Sequence, residues 1–263
     1  MIKSVDWLHA HLNDENIIIL DASLKAKKER VCQIPNARYF DLPGKFSDIS
    51  SQFPNTMPSA SQFEKEARAL GINNDSTIII YDNMGVYSAP RVWYMFKSMG
   101  HQDVHVLDGG LPAWEDRQFT TEDLSNEKYE SGDFTAKFNE DSIKSTFDIL
   151  QNIDSRKSQL IDARSEGRFN GTAPEPRAEL KSGSIPGSVN IPFSRVLENG
   201  KYKSKSELEQ IFNPEKPMIF TCGSGLTACI LLLAAEIAHD HPKSVYDGSW
   251  TEWALTHNLV TNS

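Results

Sequence analysis

Ile219-Phe220-Thr221-Cys222-Gly223-Ser224-Gly225-Leu226-Thr227-Ala228 reads as the end of a strand, a glycine-containing turn and the start of a helix. The apolar run 218–221 supplies the strand and the apolar run 228–238 the helix. A cysteine at that junction faces unpaired backbone N–H groups and the positive end of a helix dipole. Both stabilise negative charge on sulfur, and the thiolate is the form that attacks. A cysteine at a strand end can equally be a buried, inert packing group, and the residue types of this stretch leave both readings open.

Two other chemistries place a cysteine in an anion-cradling loop. A cysteine phosphatase needs an arginine six residues on, because a guanidinium fork grips phosphoryl oxygens; that position here is Ala228. A thiosulfate-handling loop gains from cationic side chains just after the cysteine, where this chain has Gly223, Ser224 and Gly225. The loop offers N–H groups and a hydroxyl but no cation, so the counter-charge for an anionic substrate has to come from elsewhere.

The chain has 263 residues, enough for one large or two modest domains. With 39% hydrophobic and 24% charged residues it has the composition of a soluble globular protein. A net charge of −9 argues against nucleic acid as a partner, since phosphate binding needs clustered Lys and Arg. Three cysteines, Cys32, Cys222 and Cys229, do not form a disulfide framework for a chain this long. The stretch 1–7 has no long apolar core or small-residue cleavage signal, and the apolar run 228–235 is too short to span a bilayer. A soluble protein of the reducing cytoplasm, without a membrane partner, is the expectation.

The sequence repeats itself with a spacing of roughly 140 residues. Asp21-Ala22-Ser23 pairs with Asp162-Ala163-Arg164, and Ile34-Pro35-Asn36-Ala37 with Ile185-Pro186-Gly187-Ser188. Ile78-Ile79-Ile80-Tyr81-Asp82 pairs with the strand ending at Cys222, and Asp108-Gly109-Gly110 with Asp247-Gly248-Ser249. In the first copy, strands are expected at 17–20, 77–81 and 104–107, and helices at 61–70 and 89–99. Such alternation predicts an α/β fold in which each copy has a largely parallel central sheet flanked by helices. Ser61 and Glu64 suggest a capping box opening the first of those helices. The polar stretch 121–141 reads as a linker between a first domain, 1–120, and a second, 142–263. Ligands on such sheets bind at the carboxyl ends of strands, where Cys222 and its counterpart Asp82 fall. Aspartate is no thiol nucleophile, and Asp82 reads as a turn or cap residue.

Cys222-Gly223-Ser224-Gly225-Leu226-Thr227-Ala228 resembles the active loop of the 3-mercaptopyruvate sulfurtransferases, within the rhodanese superfamily. Asp162-Ala163-Arg164, Gly167-Arg168-Phe169, Glu175-Pro176-Arg177, the stretch from Ile185 to Pro192 and Val245-Tyr246-Asp247-Gly248-Ser249-Trp250-Thr251-Glu252-Trp253 extend the likeness over the whole chain. The resemblance implies two tandem rhodanese-like domains, the first inactive, with the active site facing the interdomain cleft. It implies that Cys222 takes sulfur from a small-molecule donor, 3-mercaptopyruvate, as a persulfide cradled by the N–H groups of residues 223–228, including Gly223, Gly225, Leu226 and Thr227. Pyruvate is released, and cyanide, a small thiol or reduced thioredoxin collects the sulfur, with no metal or organic cofactor. A tandem-domain monomer is the simplest assembly.

Arg168 and Arg177 flank a Pro- and Gly-rich loop. Read alone, they are solvated arginines, or one of them pairs with Glu166, Glu175 or Glu179. The resemblance assigns them to the donor's carboxylate and carbonyl, and assigns Ser224 to proton movement. Ser224 and Thr227 can also serve as caps of the following helix, and Cys229 reads as a packed apolar residue. Several positions depart from the family pattern. Gln33 and Ser184 stand where many members have histidine, Asn36 replaces a glycine, and Pro43 and Asn55 fall where a relay acid and histidine are proposed. A Ser-His-Asp relay cannot operate on that alignment. His239 and His241 lack a third ligand and read as exposed. Thiosulfate sulfurtransferase and a non-enzymatic sulfur relay remain the alternatives.

Overall fold

The structure, a computed structural model, describes residues 1–25, 28–125, 127–212 and 215–256. It divides into two compact units, one of Met1–Ser50, Met57–Asn139 and Asn199–Tyr202, the other of Ser51–Thr56, Glu140–Glu198 and Lys203–Ser263. Two excursions thus cross the expected division: six residues of the first half belong to the second unit, and four of the second half belong to the first.

The first unit runs β1 (Ile2–Lys3), α1 (Val5–Ala10), β2 (Ile17–Asp21), β3 (Arg38–Tyr39), α2 (Ala60–Ala69), β4 (Thr77–Tyr81), α3 (Ala89–Ser98), β5 (Val104–Leu107) and α4 (Gly110–Asp116). Its five strands lie in the order β1-β5-β4-β2-β3, every pair parallel. The central strands β2 and β4 are runs of isoleucine, as a sheet covered on both faces requires.

The second unit contains β6 (Ile143–Lys144), α5 (Thr146–Ser155), β7 (Gln159–Asp162), α6 (Glu166–Phe169), β8 (Val189–Asn190) and β9 (Leu197–Glu198). After β10 (Lys201–Tyr202), which belongs to the first unit, it resumes with α7 (Lys205–Ile211), β11 (Met218–Thr221), α8 (Thr227–Ala238), β12 (Lys243–Tyr246) and α9 (Ser249–Thr256). Its parallel sheet has the order β6-β12-β11-β7-β8, the order of the first sheet strand for strand. The duplication reaches single hydrogen bonds. Ala22 N donates to Tyr81 O (2.8 Å) as Ala163 N does to Thr221 O (2.9 Å), and Leu111 N to Asp82 O (3.0 Å) as Trp250 N does to Cys222 O (2.9 Å). Residues 228–235 of α8 are all buried, so this helix is fixed by packing on every side rather than by one apolar stripe.

Two local expectations are corrected. The cap of α2 is Ser59, not Ser61: Ser59 is extended (φ −61°, ψ 154°) and its Oγ accepts from Gln62 N at 3.2 Å. Pro58 disfavours the helical region for the residue before it, and the helix starts two residues sooner than the Ser61–Glu64 pair suggested. Glu64 instead pairs with Arg68 (2.9 Å) and accepts from Ala136 N (3.0 Å). The polar stretch 121–139 packs as part of the first unit. Gln33 and Glu122 exchange backbone hydrogen bonds at 2.9 and 3.0 Å, and Phe134 inserts beside Phe63 and Phe96. Backbone pairing leaves no mark in composition, which is why the segment read as a linker.

Ser59→Ala should lower the unfolding free energy by about 1 kcal/mol, the usual worth of an N-cap, and Ser61→Ala by less than half of that, both read from urea titrations.

Candidate active site

Cys222 follows directly on β11, the central strand of its sheet, whose last residue Thr221 registers with Asp162 of β7. The side chain is buried, 2% exposed. Its loop is tied down from α9: Cys222 N and Gly225 N both donate to Ser249 Oγ (3.3 and 3.1 Å), and Gly223 O accepts from Thr251 N (3.0 Å) and Thr251 Oγ1 (2.6 Å). Gly225 has φ +79°, a conformation open to glycine at no steric cost. Leu226 is the residue preceding α8 and is buried; Thr227 is the first helical residue. No side chain caps α8, so Thr227 does not serve as the cap considered above. Among the described residues, the N–H groups of Ser224, Thr227 and Ala228 have no acceptor.

The first copy displays what such N–H groups do. Asp82, at the position of Cys222, is buried, and its Oδ1 accepts from Met84 N (2.9 Å) while Oδ2 accepts from Tyr87, Ser88 and Ala89 N (2.8, 2.9 and 3.0 Å). Burial raises the pKa of this carboxyl, and the four N–H bonds oppose that by holding the charge. The first loop thus carries its own anion, consistent with Asp82 as a turn and cap residue.

Arg168 reaches the Cys222 loop: a β-carbon placed on Gly223 would stand 3.0 Å from Arg168 Nη2. The guanidinium is held from behind by Glu175, whose Oε2 accepts from Arg168 Nε (3.0 Å) and Nη2. Glu175 Oε1 accepts from Arg164 Nη1 (2.8 Å), and Arg164, fully buried, also pairs with Asp162 and lies 4.2 Å over the Trp250 ring. Two carboxylates and two guanidiniums therefore balance in one buried group. The Arg177 side chain is half-buried and has no ion-pair or hydrogen-bond partner among the described residues, while its backbone carbonyl accepts from Leu180 N (3.0 Å). No contact among the described residues ties Arg177 to the loop.

Ser224 is met by Asn55, from the segment Ser51–Thr56 of the same unit. Asn55 Nδ2 donates to Ser224 O (3.3 Å) and Oγ (3.2 Å). A carbonyl only accepts, so the amide nitrogen must face Ser224, and the Ser224 hydroxyl accepts here and keeps its own hydrogen for another partner. Cys229 is buried in α8 with its thiol directed to Gly225 O (3.3 Å). Of the two histidines, His241 is exposed but His239 is half-buried, and no group among the described residues could hold a metal ion.

Sequence reasoning passed over Ser249 and Thr251, and left the hold of Glu175 on Arg168 as one of several possible pairings. Ser249 and Thr251 lay within a quoted motif without a role. The available signal was the repeat itself, which sets Ser249 opposite Gly110.

The duplicated five-stranded parallel sheet flanked by helices defines a two-domain α/β protein. The rhodanese-like domain family matches residues 4–117 and again residues 146–256. Mouse 3-mercaptopyruvate sulfurtransferase is 42% identical over 230 residues, 84% of this chain and 77% of that protein. Rat thiosulfate sulfurtransferase is 40% identical over 274 residues, 96% of this chain and 91% of that protein. The crystal structure of a 3-mercaptopyruvate sulfotransferase from Escherichia coli matches with a TM-score of 0.85 and 33% identity, covering 95% of this chain and 98% of that one. The chain belongs to the rhodanese family, in its two-domain form, and is a sulfurtransferase.

Proposed function

We propose that the enzyme takes sulfur from 3-mercaptopyruvate onto Cys222 and passes it to a thiophilic acceptor. The observation that carries this reading is the pair Asp82 and Cys222. An aspartate oxygen stands two bonds beyond Cβ, and so does the outer sulfur of a cysteine persulfide. The loop that cradles a carboxylate oxygen in the first copy is thus matched, in the second, to an anionic sulfur on Cys222, with Ser224, Thr227 and Ala228 N–H as the corresponding donors.

The Cys222 thiolate attacks the donor's sulfur. The new S–S bond forms as the C–S bond breaks, and the electron pair of that bond leaves on carbon as the enolate of pyruvate, stabilised because the adjacent carbonyl oxygen takes the charge. Water protonates the enolate. Arg168 has Nη1 and one Nη2 hydrogen left after serving Glu175, enough for a directed contact to the donor's carbonyl or carboxylate, and Arg177 offers a second guanidinium for it. Ser224 donates to the developing oxyanion; its neighbour Asn55 is an amide and not a base, so this reading uses no Ser-His-Asp relay. Cyanide, a small thiol or reduced thioredoxin then removes the outer sulfur and restores Cys222. No metal or organic cofactor is used. The free thiols Cys32, Cys222 and Cys229 suit a reducing compartment such as the cytoplasm; a monomer is the simplest assembly for this reading. No helix among the described residues is long and apolar enough to cross a membrane.

Thiosulfate is the second donor to consider, given the rat relative's name. The uncharged Gly223 and Ser224 favour mercaptopyruvate, whose carboxylate matches the arginines. Pyruvate release from 3-mercaptopyruvate, with thiosulfate run in parallel, tests this on wild type and Cys222→Ser. The expected result is turnover that requires Cys222 and favours mercaptopyruvate; preference for thiosulfate contradicts the assignment. Asn55→Asp replaces a donor by an acceptor that captures the Ser224 hydrogen, and aspartate tolerates the left-handed φ of +58° at this position. Steady-state kinetics should show kcat lowered by about tenfold with KM changed less than about threefold.

A further inference from the structure

The two copies differ behind the Cys222 loop. Gly110 and Ser249 occupy equivalent places in Asp108-Gly109-Gly110 and Asp247-Gly248-Ser249, and both are left-handed, with φ +54° and +51°. Glycine takes this conformation without penalty; serine takes it only against a steric cost. Ser249 bears the strain in full burial, 0% exposed, with a saturated hydroxyl: it accepts from Cys222 N (3.3 Å) and Gly225 N (3.1 Å) and donates to Tyr246 O (2.9 Å).

No side chain fits at the first-copy position. A β-carbon on Gly110 would lie 2.3 Å from Asp82 O and 2.5 Å from Gly85 O. There the loop closes onto the glycine with carbonyl oxygens. In the second copy the serine side chain fills that space, and the loop presents the N–H of Gly225 to it instead.

We propose that Ser249 is a positioning residue: its side chain props the Cys222 loop in the conformation that leaves the N–H groups of Ser224, Thr227 and Ala228 turned to a sulfur anion on Cys222. The proposal rests on Cys222 as the sulfur carrier and not on which donor loads it. Ser249 touches no substrate; it acts through Cys222 and Gly225.

Ser249→Gly keeps the left-handed backbone at no steric cost and removes both prop and hydroxyl. Ser249→Ala keeps the β-carbon and removes the hydroxyl alone. In the full chain, two readouts are taken: the ratio of Cys222 alkylation rates by anionic iodoacetate and neutral iodoacetamide, with Cys222→Ser as background, and kcat and KM for pyruvate release. Thermal unfolding confirms that each variant is folded. The iodoacetate-to-iodoacetamide ratio should fall about fivefold or more in Ser249→Gly, and kcat about tenfold, with KM within about threefold because both arginines are untouched. A folded Ser249→Gly with the wild-type ratio and kcat overturns the proposal. Should Ser249→Gly not fold, Ser249→Ala decides by the same ratio: a lowered ratio supports the proposal and an unchanged one overturns it. Absence of pyruvate formation by the wild type would sink the mercaptopyruvate reading, while the alkylation ratio would still judge Ser249.

Discussion

A helix cannot satisfy the N–H groups of its own first turn, and in this chain that limitation is met twice at the end of a central parallel strand. In the first copy Asp82 closes the account with its own carboxylate, and the loop folds down onto Gly110. In the second copy the residue is Cys222, whose thiol is one bond shorter and a poor acceptor, so the donors of Ser224, Thr227 and Ala228 stay available. One substitution in a duplicated frame thus separates a loop whose N–H groups are taken up by a carboxylate from one whose N–H groups are left open.

Around that loop, charge is arranged in two tiers. Asp162, Arg164, Glu175 and Arg168 compensate one another, and the rigidity of the group follows from Arg164 being clamped between two carboxylates and the Trp250 ring. Breaking such a buried cluster by removing one member typically costs about 3–5 kcal/mol, because the remaining charge is left without a partner. The Arg168 charge is thus compensated within the group, and its guanidinium is held in one direction by Glu175.

The frame was legible in the sequence because its signals are local. Isoleucine runs marked β2 and β4, the apolar stretch after Cys222 marked α8, and the repeated Asp-Ala and Ile-Pro pairs marked the duplication. What stayed hidden depends on pairing across distance. The short strands β1 and β3 carry two residues each, too few for a period to register. The polar segment 121–139 joins the first unit through backbone bonds that side-chain composition does not encode. Ser59 and Ser61 both have the chemistry of a cap, and only backbone conformation chooses between them. At the site, Cys222 and Arg168 carried visible motifs. The hold of Glu175 on Arg168 was one of several pairings the sequence left open, and the approach of Asn55 to Ser224 joins residues far apart in the chain.

The most direct test of the anion cradle needs no substrate. Cys222→Asp places the first copy's residue in the second copy's loop, and its unfolding free energy at neutral pH can be set against that of Cys222→Ser. If the N–H groups of Ser224, Thr227 and Ala228 are turned to receive a negative charge two bonds beyond Cβ, the aspartate variant equals or exceeds the serine variant in stability. A loss of several kcal/mol, the ordinary result of burying a carboxylate without partners, would contradict the account.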